Sequence, residues 1–170
     1  CRACLELSLR NQIRVVLHGS LPDSYHGDRE SQQQLKNLCE QNPNLFEIKG
    51  AYNHDSLRDI LTVSDIAVVP SLWEEVYGLT AREILCYGLP LITTSAGGLA
   101  ELAHRPNVLT LDHTEPSSWA GTLSEAFETG PLMKWIYQRR TGIKNSTFRA
   151  RSTMECSQEL YPVSYTHLRA

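Results

Sequence analysis

Residues 64–102 read SDIAVVPSLWEEVYGLTAREILCYGLPLITTSAGGLAEL. Ile66–Val69 is a continuous apolar run closed by Pro70-Ser71, the pattern of a short strand covered on both faces. A helix is predicted to begin at Tyr77 or Gly78 and to finish at Tyr87. Gly88 suits the left-handed position after a helix, and Pro90 cannot continue one. Leu91–Thr94 reads as the next strand, followed by Gly97-Gly98. A strand, a helix and a strand in such close succession predict an α/β domain with a mostly parallel sheet.

The flanking sequence repeats this alternation. An apparent helix over Ala3–Leu9 precedes a strand at Ile13–His18, which ends at Gly19-Ser20. A helix from about Asp28 to Glu40 stops near Asn42-Pro43, and Leu45–Ile48 is a strand closed by Lys49-Gly50. Asn53 or Asp55 caps the next helix, whose apolar positions are Leu57, Ile60 and Leu61. Val108–Leu111 is a fifth strand. Pro116 opens a helix in which Trp119, Leu123 and Phe127 recur at fourfold spacing and which Gly130 ends. Leu132–Arg140 and about Arg149–Tyr161 read as terminal helices. In open α/β sheets, ligands bind at the carboxyl ends of strands. Gly19, Gly50, Ser71 to Tyr77 and Ser95 to Gly98 all fall at such ends and are predicted to line one edge of the sheet.

Composition sets bounds on function. The chain has 170 residues, 41% hydrophobic and 21% charged, which suits one globular domain with its own core. A formal net charge of -3 offers no basic surplus for nucleic acid, and no Lys/Arg block resembles a membrane anchor. The apolar runs are strand length, far short of the roughly 20 residues of a membrane span. The cysteines at 1, 4, 39, 86 and 156 form no disulfide framework and read as reduced structural thiols. The histidines share no metal-ligand spacing, and no Asp-x-Asp pair exists to hold a divalent ion on a diphosphate, so no metal is expected. The domain is taken as residues 1–161 and as truncated at its N-terminus. Pro162–Ala170 lacks periodicity, resembles a translated sequencing-adapter tail and is treated as non-native.

Chemistry concentrates where Glu75 and Glu83 flank the predicted helix start. A helix start binds anions through its free N–H groups and dipole, while carboxylates accept hydrogen bonds from vicinal hydroxyls. An anion site with a hydroxyl reader on each side suits a nucleoside-diphosphate sugar.

The order Pro70, Ser71, Glu75, Tyr77-Gly78, Glu83, Gly88, Pro90, Gly97-Gly98 and Glu101 resembles the signature of the family 4 glycosyltransferases. These are retaining enzymes of the GT-B fold, and a weaker resemblance runs from about Ile13 to Tyr161. The resemblance implies the Rossmann-like, C-terminal donor-binding half of a GT-B architecture, acting as a hexosyltransferase with a nucleotide sugar as donor. It implies that Glu75 is the catalytic position, holding the hydroxyls of the transferred sugar, with Tyr77 and Gly78 beside it. Leu79 and Thr80 would cradle the diphosphate and Glu83 would bind the ribose diol. Gly97 and Gly98 would let the backbone pass close to the donor, and the base would lie at Lys49 and Gly50. It also implies an Arg and a Lys against the diphosphate and an N-terminal acceptor domain, both upstream of Cys1. The parent is expected in the cytoplasm, with peripheral membrane association left open.

Competing readings stay in view. Glu74 is an alternative sugar reader, and Gly97-Gly98 could be structural only. Trp73 is expected to pack against the sheet rather than stack on a sugar, and His18 to be a strand-end residue. At the level of function, the alternatives are a nucleotide-sugar epimerase of the same fold and a non-catalytic nucleotide-binding domain.

Overall fold

The computed structural model describes residues 1–8, 13–19, 29–112, 115–128 and 130–140. Its elements, in order, are α1 (Arg2–Ser8), β1 (Val15–His18), α2 (Arg29–Gln41), β2 (Phe46–Gly50), α3 (His54–Thr62) and β3 (Ala67–Val69). They continue with α4 (Leu79–Cys86), β4 (Leu91–Thr94), a 3-10 turn (Ala100–Leu102), β5 (Val108–Leu111), α5 (Pro116–Glu128) and α6 (Met133–Arg140). Every element predicted within the described residues is present. The 3-10 turn was not anticipated. The predicted helix at Arg149–Tyr161 and the tail Pro162–Ala170 lie outside the described residues.

The strands form two parallel sheets, β1-β2 and β3-β4-β5, where the sequence suggested one. They belong to two compact units whose described residues fall within Cys1–Leu57 and Glu115–Ser124, and within 58–112 and 125–140. In the first unit, alternation along β1 turns Val15 and Leu17 onto a core of Cys39, Leu45 and Phe46. Leu35, Leu38 and Cys39 of α2 supply the covering face at helical spacing. Asn42 donates from Nδ2 to the Leu38 carbonyl, 2.9 Å away, and the helix stops before Pro43 as predicted. Burial raises the Cys4 and Cys39 thiols above their ordinary pKa, which suits structural rather than reactive cysteines.

One boundary in this unit is corrected. Lys49 and Gly50 were read as closing the second strand, but β2 runs through Gly50. The register slips so that His18 pairs with Gly50 and Lys49 is the extra residue of a bulge. Gly50 takes φ 75°, which a side chain would resist, and its carbonyl accepts from the Gly19 amide at 2.8 Å.

In the second unit β4 lies between β3 and β5, with Ala67 opposite Leu91 and Leu91 opposite Val108. All four β4 residues are buried, so β4 is the strand covered on both faces. The sequence reading gave that place to Ile66–Val69. As the edge of its sheet, β3 instead leaves Val68 40% exposed. The α4 helix packs on β3 and β4, burying Ala81, Ile84 and Leu85 at spacings of three and four. It ends in a Schellman arrangement: Gly88, at φ 69°, donates to the Leu85 carbonyl and Leu89 to that of Ile84.

Candidate functional site

Parallel pairing brings the carboxyl ends of β3 and β4 to one edge of the second unit. Two loops leave that edge, residues 70–78 after β3 and residues 95–99 after β4. Burying the Thr93 and Thr94 hydroxyls would be costly without partners. Thr93 Oγ1 donates to the Val69 carbonyl at 2.9 Å, and Thr94 Oγ1 donates to the Ser71 carbonyl. Both bonds tie the end of β3 to β4, so the first loop starts from a fixed point.

Glu75 sits where the loops meet. Ser71 Oγ donates to Glu75 Oε1 at 3.0 Å, the Glu75 amide donates to the Trp73 carbonyl at 2.8 Å, and Glu75 bridges Gly97 as an isolated parallel β-pair. The Gly98 amide donates to the Glu75 carbonyl. Glu75 is half-buried while Glu74 is exposed, so the loop holds Glu75 in place and leaves Glu74 toward solvent.

The glycines have a definite reason here. A Cβ on Gly98 would lie 2.6 Å from the Val76 carbonyl oxygen and 3.0 Å from the Tyr77 Cα. Gly97 has φ 56°, and a Cβ there would press on the backbone of Glu74 and Glu75. What passes close to Gly97-Gly98 is thus the neighbouring loop. This packing accounts for the pair by the structural alternative, independently of any bound donor.

Gly78 is the N-cap of α4 in the left-handed region, φ 67° and ψ 53°, with no side-chain cap on the helix. A Cβ on Gly78 would lie 2.5 Å from Leu99 Cδ2, which is fully buried. The helix therefore starts at Leu79, one residue after the later predicted start. Its first internal bond runs from the Arg82 amide to the Gly78 carbonyl at 3.1 Å. The amides of Leu79, Thr80 and Ala81 are left without helical partners, and the change of hand from Gly78 to Leu79 is the kind of turn whose successive N–H groups can receive an anion. Leu79 and Thr80 are exposed at this end. Glu83 follows in the second turn, about 7–8 Å along the axis from Gly78 at 1.5 Å per residue. Its carboxylate is half-buried and, among the described residues, accepts no hydrogen bond.

The structure thus gathers Glu75, Tyr77, Gly78, Leu79, Thr80, Glu83, Gly97 and Gly98 on one edge of the second unit. Lys49 and Gly50 belong to the first unit, where the Lys49 ammonium pairs with the Glu47 carboxylate. Trp73 departs from expectation: it is 81% exposed rather than packed on the sheet. Leu72 at 72% and Val76 at 96% are exposed with it, because the short loop reaches away from the sheet edge before returning at Gly78. His18 is an exposed strand-end residue, as expected, in an edge-to-face contact with Tyr52 at 6.1 Å between ring centres.

Sequence reasoning missed Arg82. Its Nε donates to the Tyr77 carbonyl at 2.8 Å, its Nη2 donates to Glu101 Oε2 at 2.6 Å, and its guanidinium carbon lies 3.9 Å from the centre of the Tyr77 ring. The available signal was the four-residue step from Gly78 to Arg82, which places a long cationic side chain over the turn before the helix. Among the described residues no group of His, Cys, Asp and Glu side chains is placed to hold a metal ion. No helix among them is long and apolar enough to cross a membrane.

Comparison with known proteins bears on the fold and the family. The crystal structure of Anabaena HepE in complex with UDP superposes with a TM-score of 0.64 at 16% identity, over 93% of this chain and 43% of that one. At that identity the likeness concerns the fold, which is that of a GT-B glycosyltransferase neighbour: parallel sheets flanked by helices. A glycogen synthase of Desulfatibacillum aliphaticivorans is 29% identical over 125 residues, 69% of this chain and 24% of that protein. An uncharacterized glycosyltransferase of Methanocaldococcus jannaschii is 30% identical over 122 residues, 70% of this chain and 29% of that protein. The chain therefore spans only 24% and 29% of the length of these two relatives. With residues 2–140 matching the family described as glycosyl transferases group 1, on a fold and site edge that suit it, the chain belongs to that family.

Proposed function

We propose that this chain is the C-terminal, donor-binding domain of a retaining, family 4 glycosyltransferase that moves a hexosyl group from a nucleoside-diphosphate sugar to a hydroxyl acceptor. The observation that carries the reading is the uncapped start of α4 beside the fixed Glu75, with an unpaired Glu83 one turn further in. When the glycosidic bond to the diphosphate breaks, negative charge grows on the departing oxygen. Preorganised amides at a helix start stabilise such charge without reorganising. Leu79 and Thr80 supply those amides in this reading, so the site is proposed to work without a divalent metal. Glu83 accepts from the ribose diol. Glu75, held by Ser71 and by the β4 loop, accepts from the hydroxyls of the transferred sugar and orients it.

Calorimetric titration with UDP, GDP and ADP, then with their sugars, tests the two roles separately. Glu83→Ala is expected to weaken the preferred nucleotide. Glu75→Ala is expected to leave the nucleotide alone and abolish the increment given by the sugar. Equal binding of nucleotide and nucleotide sugar by wild type and Glu75→Ala would instead favour a non-catalytic nucleotide-binding domain. Product analysis of the full-length parent separates transfer from epimerisation: an isomerised donor would favour an epimerase.

A further inference from the structure

Arg82 lies one helical turn inside the proposed donor site and contacts the loop before α4 and the 3-10 turn that follows the β4 loop. Its Nε reaches the Tyr77 carbonyl at 2.8 Å, and its Nη2 reaches Glu101 of the 3-10 turn at 2.6 Å. Its guanidinium carbon lies over the Tyr77 ring, 3.9 Å from the ring centre. The Arg82 side chain is only 14% exposed and Glu101 balances its charge, so it is not a free cation waiting for phosphate.

The consequence lies in the peptide joining Tyr77 to Gly78. That peptide is planar and trans, so its C=O and N–H point in opposite directions. Holding the Tyr77 carbonyl on the guanidinium aims the Gly78 N–H the other way. A charged donor on the carbonyl also polarises the peptide and strengthens that N–H as a donor. Gly78 needs such a hold because glycine has few steric limits of its own and no side chain caps the turn.

We propose that Arg82 is a positioning residue of the donor site: by gripping the Tyr77 carbonyl and ring while anchored to Glu101, it fixes the direction in which the Gly78 amide, and the Leu79 and Thr80 amides after it, meet the donor. This rests on the donor-site reading above. A lysine cannot replace it, because one ammonium lacks the planar fork that serves two acceptors and lies flat on a ring.

The test compares wild type, Arg82→Ala, Arg82→Lys, Glu101→Gln and Glu83→Ala in the same chain, each checked for a native far-UV circular dichroism spectrum. Backbone 15N relaxation reads the turn without any ligand. Gly78 is expected near the rigid value of about 0.85 in wild type and below about 0.6 in both Arg82 variants. Affinity for the preferred nucleoside diphosphate is expected to fall by about tenfold to a hundredfold in both, the scale of one misdirected hydrogen bond to a charged group. Glu101→Gln, at an exposed carboxylate, is expected to shift both readouts in the same direction by less. Wild-type order at Gly78 in Arg82→Ala, or full recovery of order and affinity in Arg82→Lys, overturns the proposal. Nucleotide affinity lost in Glu83→Ala but kept in Arg82→Ala overturns the positioning role and leaves the donor site standing. Affinity kept in Glu83→Ala refutes the donor site itself, while the order of Gly78 still decides whether Arg82 fixes the turn.

Discussion

Replacing Gly98 by alanine puts the contact between the two site loops to a quantitative test. The new Cβ would stand 2.6 Å from the Val76 carbonyl oxygen, 2.9 Å from the Val76 carbonyl carbon and 3.0 Å from the Tyr77 Cα. All three atoms are backbone, so no rotamer change relieves the overlap. Comfortable separation is about 3.5 Å, and the loops must part by nearly 1 Å. Such a movement stretches the bond from the Gly98 amide to the Glu75 carbonyl, worth about 1 kcal/mol. Overpacking adds about 1–3 kcal/mol. The stiffer unfolded chain returns about 0.4–1 kcal/mol. The net expectation is a loss of about 1–3.5 kcal/mol, read from urea unfolding followed by far-UV circular dichroism. Gly121 supplies the control. It lies inside α5 with nothing within 4 Å of a built Cβ, so Gly121→Ala is expected to stabilise, by about 0.5–1 kcal/mol. A Gly98→Ala protein within about 0.5 kcal/mol of wild type, inside the range of an ordinary surface change, would refute the close loop contact.

Three further outcomes follow from other parts of the chain. Trp73 is 81% exposed while Trp119 is 9% exposed, so acrylamide should quench a large share of the fluorescence in wild type and a much smaller one in Trp73→Phe; equal quenching would contradict the loop's outward reach. Asn53 Oδ1 accepts from the Ser56 amide at 2.9 Å and the Asn53 amide donates to Ser56 Oγ at 3.1 Å, so Asn53→Ala should cost about 1 kcal/mol in chemical denaturation, and no loss would exclude the cap. Hydrogen bonds from Lys49, then from Arg14, hold the Glu47 carboxyl below its ordinary pKa. The stabilisation from Glu47 should therefore be full above the unfolded carboxyl's pKa of about 4.3 and fade as pH falls through the lower folded value, a slope that Glu47→Gln removes from stability measured against pH.

Local pattern made much of the fold readable. Gly88 and Pro90 announced the end of α4, and Trp119, Leu123 and Phe127 announced α5, because capping and helical spacing act over a few residues. The misplaced features depend on partners distant in sequence. Nothing near Ile66–Val69 says that it lies at a sheet edge while Leu91–Thr94 takes the central place. Nothing near Lys49 says that a bulge carries the strand through Gly50. Trp73 was expected to be covered because it is large and apolar, and the geometry of a loop pinned at Ser71 and Glu75 overrides that preference. Gly97-Gly98 was legible as a close approach, and the neighbouring loop is one group that approaches it. Arg82 was overlooked because its acceptors, the Tyr77 carbonyl and Glu101, come together only once α4 and the 3-10 turn are folded.

The central claim is that the start of α4 receives the diphosphate of a sugar donor. Titrating the 15N-labelled chain with UDP, GDP and ADP, and following the backbone amides, tests it most directly. One of the three nucleotides is predicted to give saturable shifts that are largest at Gly78, Leu79 and Thr80, with a smaller set at Glu83. Saturable shifts centred elsewhere, or none at these four residues in a folded sample, would contradict the account.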